Sequence, residues 1–314
     1  MKPMLAEDFV EEKLSFPLGA QPKIDGVRGL NMLGRLTGRS LKAHKNKYTT
    51  AFYSKSCLMG MDGELAANHE CHPDLCRITS SAVGTIAGEP YTLWWLFDYV
   101  TVETRKLPYK DRYAALIERV RELYHIDNTV WQHLRVVPMR ICNNLEELLA
   151  CEEEWLQMGY EGVCIRDLDG MHKEGRSTVR EGGLLRIKRF IEEEALVTQV
   201  LEGEENCNDP QINELGKQFR SSHKSNMVPN GQVGSLRATL IKDILDPVTK
   251  VKLLDKGQEI TISPGNMPHD KRKHYFENQS ELLNHVVKFK FFPKGLKDKP
   301  RFPTFITIRS TEDM

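Results

Sequence analysis

Nothing in this 314-residue sequence is built to cross a membrane as a helix, since no stretch approaches the run of about 20 apolar residues that a crossing needs. The opening segment, MKPMLAEDFVEEKL, carries acids and has no continuous apolar stretch, so no secretory signal is expected. Net charge is also absent. With 44 basic against 44 acidic residues, the bulk basic footprint of many nucleic-acid binders is missing. The seven cysteines are odd in number and make no disulfide framework, which fits reduced thiols in the cytoplasm or another reducing compartment. His69, Cys71, His72 and Cys76 have the residue types of a zinc knot. A tetrahedral site draws ligand pairs from separated segments, however, and no second pair follows, so a polar loop is the preferred reading.

The length allows two domains with cores of their own, and 40% hydrophobic with 28% charged residues is ordinary for a globular chain. The first half alternates strands and helices. KIDGVRGLNML, YTLWWLFDYV and EGVCIRD read as strands. Tyr109 to His125 reads as an amphipathic helix. Asn144 to Met158 reads as another, with Asn144 and Glu147 as a capping box and Gly159 as its stop. From about residue 190 the pattern changes to short β-like segments with frequent turns (GSLRATLI, KVKLLD, QEITISPG, VVKFKFF, TFITIRS), which is the pattern of a small β-barrel. The expected domains are therefore 1–190 and 191–314.

Within the second domain, Gln211 to Val233 has little apolar periodicity and reads as a long mobile loop. Charge is uneven here. Gln211 to Lys242 holds Lys217, Arg220, Lys224, Arg237 and Lys242 against the single acid Glu214. Val286 to Arg301 holds Lys288, Lys290, Lys294, Lys297, Lys299 and Arg301 against Asp298. Such runs are often solvated faces, but two in one half of the chain favour a phosphate-binding surface.

Five short elements carry chemistry. The first is Lys23-Ile24-Asp25-Gly26-Val27-Arg28, in which a strand would point Lys23 and Asp25 to one face. A lysine is nucleophilic only when neutral, so desolvation or nearby cations such as Arg28 should lower its pKa. Asp62-Gly63-Glu64-Leu65, Phe97-Asp98-Tyr99 and Glu161 to Asp167 follow, and Leu184 to Lys188 would set Arg186 and Lys188 on one face of a strand over a core. Together they supply a nucleophile, two separated glutamates for a hard cation such as magnesium, an aromatic plate and a pair of cations. That inventory suits phosphoryl transfer, where catalysis is mostly positioning and charge neutralisation.

The ordered series KIDGVR, Gly38-Arg39, DGEL, LFDYV, EGVCIRD, LLRIKRF and PRFPTFITIRSTED resembles the motif series of ATP-dependent DNA ligases, most of all the minimal two-domain ligases of viruses and phages. The resemblance runs over essentially the whole chain. It implies an α+β chain with an ATP-grasp-like adenylation domain of mainly antiparallel sheets and helices, followed by an OB-fold barrel. It implies Lys23 as the adenylated nucleophile, with Gln21, Arg28, Arg39, Glu64, Phe97, Arg186, Lys188, Arg301 and Arg309 about the nucleotide and Phe97 stacked on adenine. Glu64 and Glu161 would hold magnesium, and Arg39 would meet the 5′-phosphate of a nick. Arg301 and Arg309 would close over ATP during self-adenylation. Lys217, Arg220 and Lys224 would belong to a latch around duplex DNA. ATP, magnesium and nicked duplex DNA are the implied ligands, and a monomer is expected. The sequence departs from the family at Arg186, where lysine is usual, and at Met314, where relatives of this type carry a basic residue.

Three other readings share features of the sequence. A GTP-dependent mRNA-capping guanylyltransferase has the lysine motif and an OB domain, but RFPTFITIR favours a ligase. RNA ligases usually lack such an OB module. A non-catalytic nick-binding protein would be free to lose Lys23, Glu64, Glu161 and Lys188, and all four are present.

Overall fold

Strand-forming segments interrupted by glycine build two facing sheets in the first half of the chain and one long-stranded sheet in the second. The structure is a computed structural model that describes residues 2–247, 250–293, 296 and 299–309. The chain divides into two units, Met1–Lys188 and Arg189–Met314.

Unit 1 begins with β1 (Met4–Leu5), β2 (Glu7–Asp8), β3 (Leu18–Lys23), β4 (Val27–Asn31), α1 (Lys47–Tyr53), β5 (Met61–Ala66) and α2 (Leu75–Gly84). It continues with β6 (Leu93–Tyr99), α3 (Tyr109–Ile126), α4 (Asn128–Trp131), β7 (Leu134–Val136), β8 (Arg140–Cys142), α5 (Leu145–Met158), β9 (Gly162–Asp167), β10 (Gly175–Arg176) and β11 (Leu184–Ile187). One five-stranded sheet runs β2-β11-β9-β3-β8, and a four-stranded sheet runs β4-β5-β6-β7. Most pairs are antiparallel, while β2–β11 and β6–β7 are parallel. The mixed helix-and-sheet architecture agrees with the expected class.

Each sheet has its own core. Leu18, Ala20, Val163, Ile165, Leu185 and Ile187 pack on Leu148, Cys151 and Trp155 of α5. Leu65, Trp94 and Leu96 pack with Tyr53, Leu116 and Leu123 under α1 and α3. The alternation along β3 therefore leaves Gln21 and Lys23 on the face away from the first core.

Helix α5 starts where expected, with the Asn144 side chain accepting from the Glu147 amide at 2.9 Å. The Glu147 carboxylate returns to the Asn143 amide at 2.8 Å, so the reciprocal half of the box is displaced by one residue. Gly159, at φ 101°, ends the helix in the left-handed region. The KIDGVRGLNML stretch forms two strands in different sheets rather than one. Asp25 falls in the turn between them, so it does not share a strand face with Lys23. Gly26 is required in that turn, because a Cβ there would sit 2.3 Å from the Leu65 carbonyl oxygen.

Unit 2 contains β12 (Ile191–Asn206), β13 (Pro210–Ile212), β14 (Gln218–Arg220), β15 (Met227–Leu240), β16 (Ile244–Leu245), β17 (Lys252–Leu254), β18 (Glu259–Ile262), α6 (His269–Glu277), β19 (Val286–Phe292) and β20 (Arg301–Ile308). Its main sheet is ordered β18-β15-β12-β19-β20 around a core that includes Val197, Leu236, Ile260, Val287 and Phe289.

The segment Gln211–Val233 is not an irregular loop. The ladder of β12 and β15 continues out to Asn206 and Met227, and the hairpin β13–β14 forms the tip. The reason is that a ribbon exposed on both faces needs no apolar alternation, since its ladder of backbone hydrogen bonds sustains it. The tip is tied by the Asn208 amide nitrogen, which donates to the Ser221 and His223 carbonyls at 3.0 and 2.8 Å. Among the described residues no helix is long and apolar enough to cross a membrane.

Candidate active site

Strand register gathers the first set of site residues. Gln21 lies opposite Cys164, Lys23 opposite Gly162, and Arg186 opposite Cys164, so these side chains and Arg166 share the face of the five-stranded sheet away from α5. Gly162 is demanded by this packing. Its φ is 153°, and a Cβ would stand 2.3 Å from the Ile187 carbonyl oxygen. From the other sheet, Arg28 and Glu64 are direct cross-strand partners. β6 alternates strictly, with Trp94, Leu96 and Asp98 buried and Phe97 turned to the other side.

Where the two faces meet, the layer is charged. Lys23 is ion-paired to one oxygen of Glu161, and Lys188 holds the other oxygen at 2.7 Å. Arg28 makes a forked pair with Asp62 at 2.5 and 2.7 Å and lies over the Phe97 ring, 4.5 Å from its centroid. Arg166 covers Tyr109 at 4.4 Å and Phe97 at 5.4 Å, and its Nε is buried without a hydrogen-bond partner. Asp98 takes a fork from Arg112 at 2.9 and 3.1 Å. Gln21 is buried and positioned by the Tyr109 hydroxyl, which donates to its Oε1 at 2.9 Å.

These surroundings set the titration of the central groups. Burial alone would lower the Lys23 ammonium, but the charge of Glu161, aided by Cys164 and Glu64, outweighs it and raises the group above its ordinary value. This corrects the expectation that nearby cations depress Lys23, because the nearest charge is an anion. Burial would raise Glu161, yet Lys23 and Lys188 together hold it down to about 2. Burial pushes Glu64 up to about 7 against the opposing charges of Arg28 and Lys23.

Glu64 and Glu161 are an oxygen donor set of the kind a hard cation takes. The fit differs between them. The Glu64 carboxylate has no hydrogen-bond partner among the described residues and is costly to ionise, whereas both Glu161 oxygens are already engaged by lysines.

The structure brings together Gln21, Lys23, Arg28, Glu64, Phe97, Glu161 and Lys188. Arg186 shares their sheet face but is turned to Asp8, at 2.6 Å. Arg39 is exposed in the segment after β4 and has no partner among the described residues. In unit 2, Arg309 is paired to Glu194, and Arg301 lies 5.6 Å from the Phe292 ring centroid. Lys217 and Lys224 are exposed in the hairpin, where Arg220 donates to the Asn208 carbonyl.

The basic run on β19 is partly neutralised by its acidic neighbour β12, with Glu192 pairing Lys288 at 2.5 Å. Lys294, Lys297 and the terminal Glu312-Asp313-Met314 lie outside the described residues. Of the zinc-type cluster, His69 and Cys71 come together with Glu70, while His72 and Cys76 do not join them. The buried group of Asp98, Arg112, Arg166 and Tyr109 was missed as a site layer. The charges inside LFDYV and EGVCIRD, set in otherwise apolar strands, were the available signal.

No protein-family model matches the chain, and no curated protein does. Solved structures do. Two crystal structures of Chlorella virus DNA ligase-adenylate are similar over nearly the full length of both chains. One is 26% identical, covering 98% of this chain and 99% of that one, with a TM-score of 0.51. The other is 28% identical, covering 99% of each, with a TM-score of 0.52. A Lig E DNA ligase covers 98% of this chain and 99% of its own at 18% identity, with a TM-score of 0.68, and at that identity it speaks for the fold. The likeness in fold, over nearly the full length of both chains, points to a DNA ligase as the class of protein. More narrowly, the chain is similar from end to end to the minimal DNA ligase of a Chlorella virus.

Proposed function

We propose that the chain seals nicks in duplex DNA, with unit 1 as the adenylation domain and Lys23 as the residue that carries AMP. The single observation behind the assignment of Lys23 is its position. It ends β3 in a buried charged layer between two sheets, against Glu161 and Lys188, in a chain that matches a ligase-adenylate end to end. Lys23 first gives up a proton to become a neutral amine; its Nζ then forms a bond to the α-phosphorus of ATP as the bond to pyrophosphate breaks, and a second proton leaves the nitrogen. Covalent catalysis of this kind divides one hard step into easier ones. AMP then passes to the 5′-phosphate of a nick. The 3′-hydroxyl attacks that phosphorus, AMP leaves, and the strand is closed.

The residues assist by charge and place. Lys188 and Arg186 neutralise charge developing on phosphate. Phe97 offers adenine a stacking plate once Arg28 yields its position over the ring. Glu64 and Glu161 would hold magnesium, which supplies charge neutralisation at phosphate oxygens. Lys23 must be released from Glu161 before it can react, because the paired ammonium has no lone pair to give.

We assign unit 2 as an OB-type barrel. The assignment is supported by the parallel bridge between Ser263, next after β18, and Thr304 of β20, which brings the two edge strands of its sheet together. Arg309 would act in the first step only after leaving Glu194. The basic hairpin with Lys217, Arg220 and Lys224 is the proposed latch on duplex DNA.

The test is to incubate the chain with α-labelled ATP or GTP and magnesium, look for label on the denatured protein, and then add nicked duplex. Label from ATP that vanishes in Lys23→Ala and is discharged with sealing is the expected result. Label from GTP alone would point to capping chemistry, and no label from either would leave a binding protein.

A further inference from the structure

We propose that Cys142 and Cys151 are a redox modification site of unit 1, a thiol pair that a peroxide closes into a disulfide between β8 and α5. The inference goes beyond the ligase reading and does not depend on it.

The two sulfurs lie 3.9 Å apart in the core beneath the five-stranded sheet. They differ from the other cysteines in their setting. Both are buried, whereas Cys57, Cys71, Cys76 and Cys164 are half-buried and Cys207 is exposed. The pairing is also local. β8 ends at Cys142, α5 begins at Leu145, and only Asn143 and Asn144 connect them. The Asn144 cap on the Glu147 amide, and the Glu147 carboxylate on the Asn143 amide, fix the angle at which the helix leaves the strand. Cys151, less than two turns into the helix, is thereby laid against the end of β8. The sulfurs need to close a gap of ~2 Å to reach bonding distance, which is within the reach of rotation about their Cα–Cβ bonds.

Their surroundings assign an order to the chemistry. Cys142 is 1% exposed, and burial with the neighbouring sulfur pushes its thiol up to about 12, so it meets peroxide poorly. Cys151 is 7% exposed and has Arg140 Nη1 at 4.0 Å from its sulfur. That guanidinium is held by a fork to the Glu154 carboxylate and lies over the Trp155 ring, 5.4 Å from its centroid. A cation fixed beside the sulfur stabilises the negative charge that develops on the departing peroxide oxygen.

Cys151 therefore reacts first. Its sulfur bonds to one oxygen of hydrogen peroxide, the O–O bond breaks, and the second oxygen leaves as water with the thiol proton. The product is a sulfenic acid. The Cys142 sulfur then bonds to the Cys151 sulfur, the S–O bond breaks, and the hydroxyl leaves as water with the Cys142 proton. Both sulfurs are oxidised and both peroxide oxygens are reduced to water. The disulfide stops Cys151 short of sulfinic acid, and a low-molecular-weight thiol restores the pair. The linkage staples the helix that covers the core face of the sheet whose other face carries Lys23. By restricting the unfolded chain, it should make the oxidised form the more stable one.

The test treats the full wild-type chain with hydrogen peroxide under native conditions, alkylates the remaining thiols in denaturant and maps the peptides by mass spectrometry. The expected product is a linked Cys142–Cys151 peptide lacking two hydrogens, absent before treatment and removed by dithiothreitol. Calorimetry should show a melting temperature higher by roughly 5–10 °C, as for a closed loop of about ten residues. Cys142→Ala, shown to be folded by a cooperative melt before treatment, should show no rise, with Cys151 running on to sulfinic acid. The mapping of the wild type needs no variant to decide the case. Cys142 and Cys151 both recovered as free thiols after a dose that oxidises Cys207 would overturn the proposal, as would a linkage that forms only in denaturant. A linked chain that melts no higher than the reduced one would overturn the stapling role.

Discussion

Replacing Glu161 by glutamine keeps the shape of the side chain and removes its charge. In the structure that carboxylate is 2% exposed and holds Lys23 and Lys188, which are 21% and 14% exposed. Breaking a buried ion pair by neutralising one member costs on the order of 3–5 kcal/mol, because the partner charge is left uncompensated. The lower end applies here, since both lysines have long stems that can lift their ammonium groups toward water. At roughly 2–4 °C per kcal/mol for a domain of this size, the melting temperature should fall by about 6–12 °C at neutral pH.

The sign of the pH dependence follows from the two shifts. Glu161 is pulled from 4.5 to about 2, so its stabilisation is complete above 4.5 and is lost as pH falls toward 2. The gap between wild type and variant should therefore close over that acid range. Lys23 is raised above 10.5, so its share is present below 10.5 and lost only above it. For the same reason fewer than roughly one Lys23 in a thousand is neutral at pH 7.5 in the free chain. The second-order rate constant of self-adenylation should then climb about tenfold per unit from pH 7 to 9, and the glutamine variant should level off at lower pH. Calorimetry and a labelled-ATP time course read these effects. A variant that melts with the wild type at pH 7, or a gap that persists unchanged to pH 2, would refute the coupling of Lys23, Lys188 and Glu161.

Two further outcomes follow from the same geometry. Glu64 is a carboxylate that burial pushes up to about 7, so ionising it destabilises the nucleotide-free chain progressively as pH rises from 4.5 through 7. Glu64→Gln should accordingly raise the melting temperature at pH 8, leave it unchanged at pH 4 and lower adenylation, and a variant less stable than wild type at pH 8 contradicts the shift. Gly63→Ala would place a Cβ 2.3 Å from the Trp95 carbonyl oxygen, where β5 and β6 cross at an irregularity in register. Backbone cannot give way as a side chain can, so a loss of roughly 2 kcal/mol or more is expected, and a melting curve superimposable on the wild type would show that the strands separate freely.

Much of the fold was legible because its elements are locally consistent. The alternation of LWWLFDY matches its buried and half-buried positions one by one, and Asn144 and Gly159 bound their helix as their backbone preferences require. The segment from 211 to 233 was misread because periodicity reports a core, and a ribbon solvated on both faces has none to report. The turn at Asp25 was hidden for a different reason. Gly26 announces a turn but not that the chain changes sheets there, which depends on the pairing of Val27 with Leu65 across the second sheet.

The candidate site divides along the same line. Residue types and their order named Lys23, Glu64, Phe97, Glu161 and Lys188, and the sheets bring these together, because strand register sets which side chains share a face once the pairing is known. The protonation state of Lys23 is not a property of its motif. It depends on Glu161, which lies 138 positions away in sequence and arrives opposite Lys23 only through the pairing of β3 with β9. A K-x-D-G-x-R motif can therefore mark where a candidate nucleophile sits, while the anion that keeps its ammonium protonated is placed by tertiary structure. Arg28 shows the same separation. Its place in the motif was plain, but its fork to Asp62 and its position over Phe97 mean that the ring expected to receive adenine is covered in the free chain. Binding a nucleotide must then displace two cations, Lys23 from Glu161 and Arg28 from Phe97, and the phosphates and base of the ligand offer each of them a replacement partner of matching charge or aromatic face.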